Sequence, residues 1–263
     1  MAPQTVGLLH PGEMGVAVGA VLRDRGYPLV WASAERSEDT HGRAEAAGFD
    51  DAGSISELVR RSDVILSVCP PHAALEVAAS VPGFEGVFVD ANAIAPATAR
   101  DVAAVVEAEG AECVDGGIVG PPPREPGTTR LYLSGPAAPS VAELFAGSVV
   151  DARVVSDEVG AASAVKMAYA AWTKGTAALL LAIHDLARAE GVEQALVEEW
   201  RLSLSQLPDR LECAARSAQV KGWRWVGEME EIASTFAAAG LPDGFHLAAA
   251  DVFRASSAEP QRK

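Results

Sequence analysis

The sequence predicts an α/β fold: a Rossmann-type, doubly wound and mainly parallel sheet followed by a small all-α domain. Three observations predict it. Short β-branched runs alternate with helical stretches through the first half, a glycine turn directly follows the first run and opens a helix, and from Gly160 onward apolar residues recur at helical spacing. The 263 residues are about 1.8 times a typical ~150-residue domain, which suits one medium and one small domain. With 49% hydrophobic but only 6% aromatic residues, the core is expected to be built from closely packed Ala, Val and Leu.

Val6-Gly7-Leu8-Leu9, Leu29-Val30-Trp31, Val64-Ile65-Leu66-Ser67-Val68, Val87-Phe88-Val89, Glu112-Cys113-Val114 and Leu131-Tyr132-Leu133 read as strands. Several are apolar at successive positions, as strands covered on both faces require. Crossover helices are expected over 15 to 25 and 97 to 110. Gly120-Pro121-Pro122-Pro123-Arg124-Glu125-Pro126-Gly127 is read as a loop over the carboxyl edge of the sheet, because prolines lack the donors a strand ladder needs. Ala164, Val165, Ala168, Trp172, Leu179, Leu180 and Ile183 predict one helix of roughly 30 residues, about 45 Å long. Further helices are expected near 193 to 205, 207 to 217, 224 to 239 and 245 to 255, separated by Pro208, Gly222 and Leu241-Pro242, with a frayed tail from Ser256 to Lys263. The domain boundary falls after residue 157, giving 1–157 and 158–263.

Composition narrows the partners. The net charge of −15, from 36 acidic and 21 basic residues, repels phosphate backbones and anionic lipid surfaces, so neither a nucleic acid nor a membrane partner is expected. No apolar run reaches the ~18 residues of a spanning helix, and Met1-Ala2-Pro3-Gln4-Thr5 lacks the features of a signal peptide, so a cytoplasmic location is expected. Cys69, Cys113 and Cys213 are few and far apart, and read as buried reduced thiols. The five histidines, at 10, 41, 72, 184 and 246, show no two-ligand spacing, so no metal site is expected.

The chemistry begins at His10-Pro11-Gly12-Glu13-Met14-Gly15. Gly12 lets the backbone approach a pyrophosphate, Gly15 lets the helix pack on the strand, and the free N–H groups of the helix start hold the anion. The first glycine of a dinucleotide fingerprint is replaced by His10, so the spacing alone also fits a plain turn; the strand, turn and helix context favours the dinucleotide. After the second strand comes Ser33-Ala34-Glu35-Arg36, whose hydroxyl and guanidinium suit a 2′-phosphate and so NADP (NADPH) over NAD, although Glu35 suits a bare 2′-hydroxyl.

In the order of its motifs the chain resembles, over nearly its whole length, the β-hydroxyacid dehydrogenases of the 6-phosphogluconate dehydrogenase superfamily, in a branch with a short C-terminal helical domain of unassigned function. Gly12-Glu13-Met14-Gly15 resembles the second half of that family's G-x-G-x-M-G turn. Cys69-Pro70-Pro71 resembles its proline turn beside the cofactor, and Asp90-Ala91-Asn92-Ala93-Ile94-Ala95-Pro96 its D-x-S-T-x-x-P segment near the nicotinamide ribose. Asp115 to Pro121 falls on the substrate loop D-A-P-V-S-G-G, and Gly160 to Ala170 on G-x-G-x-x-x-K-x-x-N-N, whose lysine is the family's acid/base. The residues and the resemblance together imply His10, Pro11, Gly12, Glu13, Met14, Ser33, Arg36, Cys69, Pro70, Pro71 and Asn92 at the cofactor, and Val119, Gly120, Ala170 and Thr173 at a small-molecule substrate. The resemblance also implies a homodimer through the long helix.

Lys166 lies about two turns into that helix, where the positive dipole end and apolar neighbours such as Val165 and Met167 are expected to lower its pKa toward the working range. Spacings of three, four and seven put Tyr169, Ala170 and Thr173 on its face, with Tyr169 a second candidate for proton transfer. Three of the family's substrate contacts are missing. Val119 replaces its loop serine, Ala170 its second helix asparagine, and Glu228, Glu230 and Glu231 stand where a lysine often reaches substrate. Lys174, one residue off the Lys166 face, is read as solvated or as an anion contact. The reading is an NADP-dependent oxidoreductase acting on a carbonyl or alcohol, in which the helical domain supplies Lys166 and closes a cleft. The alternatives are C=N reduction as in imine reductases, and a protein that binds NADPH without turnover.

Overall fold

A computed structural model describes residues 4–256. Of the tail expected over Ser256 to Lys263, Ser256 instead closes the last helix, and 257–263 lie outside the described residues. The first half forms one eight-stranded sheet in the order β3-β2-β1-β4-β5-β6-β7-β8. Its strands are β1 (Val6–Leu8), β2 (Leu29–Trp31), β3 (Asp50–Asp51), β4 (Val64–Ser67), β5 (Val87–Asp90), β6 (Glu112–Val119), β7 (Thr129–Ser134) and β8 (Val150–Ser156). All pairs are parallel except β6 with β7. The doubly wound, mainly parallel architecture predicted above is therefore present.

Successive side chains of a strand point to opposite faces, and the two cores divide on that rule. Val6, Leu8, Val64, Leu66, Val89 and Val114 share one face with α1 (Glu13–Asp24), α2 (Glu38–Ala46) and α6 (Ala138–Leu144). Ile65, Phe88 and Cys113 share the other with α3 (Ile55–Arg61), α4 (Ala74–Ala79) and α5 (Pro96–Ala108). The chain leaves β1 toward β2 and β3, then returns to place β4 on the other side of β1. That reversal opens a crevice at the carboxyl ends of β1 and β4, where ligands of such sheets bind.

Several expectations are corrected. The predicted substrate loop Asp115 to Val119 is strand, because β6 continues past β5 and pairs antiparallel with β7 through Val119↔Arg130. The loop begins only at Gly120, whose φ of +121° and whose Cα, with room for a Cβ only 2.2 Å from the Thr128 carbonyl oxygen, admit glycine alone. Strands β3 and β8 escape the sequence reading; β8 is largely exposed at the sheet edge and lacks a continuous apolar run.

The predicted long helix is α7 (Ala161–Ala189), 29 residues. It is followed by α8 (Glu193–Ser203), α9 (Leu207–Ala238) and α10 (Gly244–Ser256). Gly222 does not divide α9, a continuous helix of 32 residues. One glycine costs about 1 kcal/mol in a helix, less than the burial of Ala214, Ala218, Met229, Ile232 and Ala233 along the same helix supplies. Compactness divides the chain inside α7, between Lys166 and Met167, and the first turns of α7 are bonded to the sheet. Cys213 is exposed, against expectation, while Cys113 is buried.

Candidate functional site

At the carboxyl end of β1 the turn to α1 is shaped by two glycines with opposite reasons. A Cβ on Gly15 would lie 2.4 Å from the His10 carbonyl oxygen, so only glycine lets the turn fold against the helix. A Cβ on Gly12, the N-cap of α1, would meet no protein atom within 4 Å. The protein's own packing thus leaves space over Gly12, at a helix start whose N-cap supplies no side-chain acceptor. Arg43 of α2 donates from Nε to the Pro11 carbonyl at 3.2 Å and braces the turn from below. Met14 packs on the sheet core and Glu13 is exposed.

Two polar atoms beside this turn are buried without a partner, His10 Nδ1 and Arg36 Nε. Burial, and then the charge of Arg36, push His10 down to about 4, so the imidazole is neutral at pH 7. The Arg36 guanidinium also feels Cys69 at the end of β4; it lies within reach of both strand ends that form the crevice. Glu35, next to it, adopts φ +61°, a left-handed conformation that shapes the turn after β2. His41 Nε2 lies 3.1 Å from the Ser33 carbonyl oxygen and stacks edge-on against Trp31, holding the same turn. Space over a helix start with unpaired polar atoms around it fits a dinucleotide, whose anion the N–H groups of α1 could hold.

The ends of β4 and β5 are tied together. Asn92 Oδ1 accepts from the Cys69 N–H at 2.5 Å, while its Nδ2 donates to Asp90 Oδ2 at 2.8 Å and to Ser67 Oγ at 3.3 Å. Asn92 is 2% exposed, so its amide braces the Cys69-Pro70-Pro71 turn. Pro71 opens a single 3-10 turn. Burial pushes the Cys69 thiol up to about 12 and the Asp90 carboxyl up to about 7, the latter despite the donors of Asn92.

Beyond β5, the strand β6 carries the start of α7. Asp115, 1% exposed, receives four hydrogen bonds. Ser134 Oγ, Gly160 N and Ser163 N donate to its Oδ2 at 2.9 Å each, and Ser163 Oγ donates to Oδ1 at 2.6 Å. The positive end of α7 is therefore met by a carboxylate, besides the Lys166 on which it is expected to act. Lys166 Nζ donates to the Ile118 carbonyl at 2.8 Å. Gly117 permits this approach, since a Cβ there would lie 2.9 Å from both the Ala162 carbonyl oxygen and Lys166 Cβ. The sequence carries one signal of this cap, an acidic residue inside an apolar strand.

Val119 and Ala170 are both buried, at 3% and 1% exposure, and Tyr169 is half exposed at 49%. The Thr173 hydroxyl donates to the Tyr169 carbonyl of its own helix at 3.2 Å. In the helical unit, Lys174 forms a mostly buried ion pair with Glu228, each 15% exposed, in place of the solvated or anion-binding lysine expected. Glu230 pairs at the surface with Arg254 at 2.9 Å. A groove of about 500 Å³ between α7 and α10 is lined by Leu179, Phe245, His246 and Val252 among small residues. Among the described residues no group of side chains is arranged to hold a metal ion, and no helix is long and apolar enough to cross a membrane.

Residues 5–146 match the NAD binding domain of 6-phosphogluconate dehydrogenase. The chain belongs to that family. Residues 187–256 match a domain of unknown function, DUF1932. Oxidoreductase chemistry is the class that this membership supports. A solved structure of the conserved protein MTH1747, of unknown function and described as structurally similar to 3-hydroxyacid dehydrogenases, is 27% identical with a TM-score of 0.72, covering 96% of this chain and 97% of that one. 3-Hydroxyisobutyrate dehydrogenase from Salmonella typhimurium is 19% identical with a TM-score of 0.70, covering 96% and 93%. A reductive aminase from Aspergillus terreus, in complex with NADPH and ethyl levulinate, is 21% identical with a TM-score of 0.62, covering 97% and 94%. The last two share the fold.

Proposed function

We propose that the protein is an NADP-dependent oxidoreductase that reduces a carbonyl compound or oxidises the matching alcohol, with Lys166 as general acid/base. The observation that carries this reading is the Lys166 ammonium held 2.8 Å from the Ile118 carbonyl oxygen, on the part of β6 that extends past the carboxyl end of β5. When bound, the nicotinamide supplies or accepts the hydride. Lys166 gives a proton to the carbonyl oxygen as the carbon is reduced, or takes it back in the reverse direction. The Gly12 turn binds the pyrophosphate, and the brace of Asn92 on Cys69 holds the wall of the crevice. Ser33 and Arg36 favour the 2′-phosphate of NADP.

The acid-binding positions of the resembled family are apolar here, at Val119 and Ala170, and Lys174 is spent on Glu228. The substrate is therefore a larger uncharged or amine-bearing carbonyl rather than a simple 3-hydroxy acid. Tyr169, half exposed one turn after Lys166, keeps C=N reduction as the second reading.

The test combines binding and turnover. NADPH should bind more tightly than NADH by fluorescence titration, and Lys166→Met should retain that binding while kcat falls ~10²- to 10⁴-fold. Wild-type turnover in the variant would reject Lys166; equal binding of the two cofactors would reject the NADP assignment and favour Glu35 on the ribose. Single-turnover oxidation of bound NADPH by a panel of semialdehydes, larger carbonyls and imines separates the two reactions, and its complete absence would reject an enzyme. The apolar groove and the exposed Trp172, Leu179, Leu186 and Phe245 support a homodimer through the helical unit. A monomer mass by light scattering at micromolar concentration would remove it.

A further inference from the structure

We propose that Asp115 is the positioning residue of Lys166, setting the register between β6 and the first turns of α7 so that the ammonium is held at the Ile118 carbonyl. The inference rests on the acid/base reading of Lys166. Strand and helix are joined at two rungs, each linking residues 48 apart in sequence: Asp115 with Ser163, and Ile118 with Lys166. Three residues of strand rise about 10 Å, whereas three residues of helix rise about 4.5 Å. At Gly117 the strand still lies against Ala162 and the Lys166 Cβ, and the lysine side chain covers the remaining step along the strand to Ile118. Once the lower rung is fixed, the reach of Lys166 leaves its Nζ at the carbonyl of Ile118.

The lower rung is built for fixity. The Asp115 carboxylate is buried, and its donors come from β7, from the residue before α7 and from the first turn of α7. Ser134 Oγ extends the set by accepting from the Ala162 N–H at 3.0 Å. Gly117 stands between the rungs and leaves room for only a hydrogen atom against Ala162 and Lys166. Buried charge-assisted hydrogen bonds of this kind resist exchange with water. A misplacement of about 1 Å at a reacting group is enough to cost ~10²-fold in rate, which is the scale on which such a clamp matters.

The test uses the full chain and needs no cofactor for its first readout. Asp115→Asn keeps the shape but replaces one acceptor with a donor, and Ser163→Ala removes only the hydroxyl at 2.6 Å. Acylation of Lys166 by an N-hydroxysuccinimide ester is followed by peptide mass spectrometry, with exposed Lys221 as the internal reference. Asp115→Asn should change the Lys166 labelling rate several-fold with Lys221 unaltered. It should also lower kcat by ~10²-fold with KM and NADPH affinity near wild type; Ser163→Ala should move both in the same direction by less. Unchanged Lys166 labelling in either folded variant overturns the proposal, and Ser163→Ala decides if Asp115→Asn does not fold. Altered labelling with unaltered kcat supports the clamp and rejects Lys166 as the acid/base.

Discussion

Asp90 and Asp115 are register partners on the adjacent strands β5 and β6, and each is 1% exposed. They differ in what surrounds them. Asp115 gathers donors from β7 and from both sides of the start of α7, so its burial is matched by four hydrogen bonds. Asp90 has the N–H and the amide of a single residue, Asn92, at 3.0 and 2.8 Å. Burial outweighs those two bonds and, with the nearby Asp115 charge adding to it, pushes Asp90 up to about 7. Two carboxyl groups with equal burial and a shared backbone register thus differ in the convergence of donors. The first ties a helix to the sheet. The second links the ends of β4 and β5 through Asn92 and titrates near neutrality.

The largest effect that separates them is expected on truncation. Asp115→Ala strands donors from three segments and should cost about 5 kcal/mol in a urea unfolding experiment; a loss as small as that of a surface substitution would break the comparison. Asp90 should show itself through pH. Its folded pKa, raised from 3.8 to about 7, means that the folded state holds the proton more tightly. The stability from protonated Asp90 is fully present below pH 3.8 and is lost as pH rises through 7, by up to about 4 kcal/mol. Unfolding curves of wild type and Asp90→Asn between pH 4 and 8 should therefore diverge, with the wild type losing ground as pH rises. A difference that is flat over that range would show that Asp90 does not carry the titration.

The site was legible in the sequence where one local segment suffices. The glycine turn, the proline turn after β4 and the lysine on the long helix each announce themselves within a few residues, because glycine, proline and helical periodicity constrain the backbone locally. Misreadings came where partners are distant. Asp115 to Val119 looks like a loop from its glycines and becomes strand only because β7 returns to pair with it. The sequence carries no sign that the amide of Asn92 is also engaged by Cys69, Asp90 and Ser67, up to 25 residues away. The Lys174–Glu228 pair joins residues 54 apart, and neither side chain carries a local sign of the other.

What the sequence alone determined, then, is the alternation of buried strands and helices, the position of the dinucleotide turn and the presence of a lysine at the head of a long helix. Each follows from steric and periodic rules that act over one to two turns of chain. What only the tertiary structure decided is the orientation of that lysine, the neutral state of His10, the different surroundings of Asp90 and Asp115, and the unbroken course of α9 through Gly222. These depend on desolvation and on hydrogen bonds between residues far apart in sequence, whose energies exist only once the elements that carry them have packed.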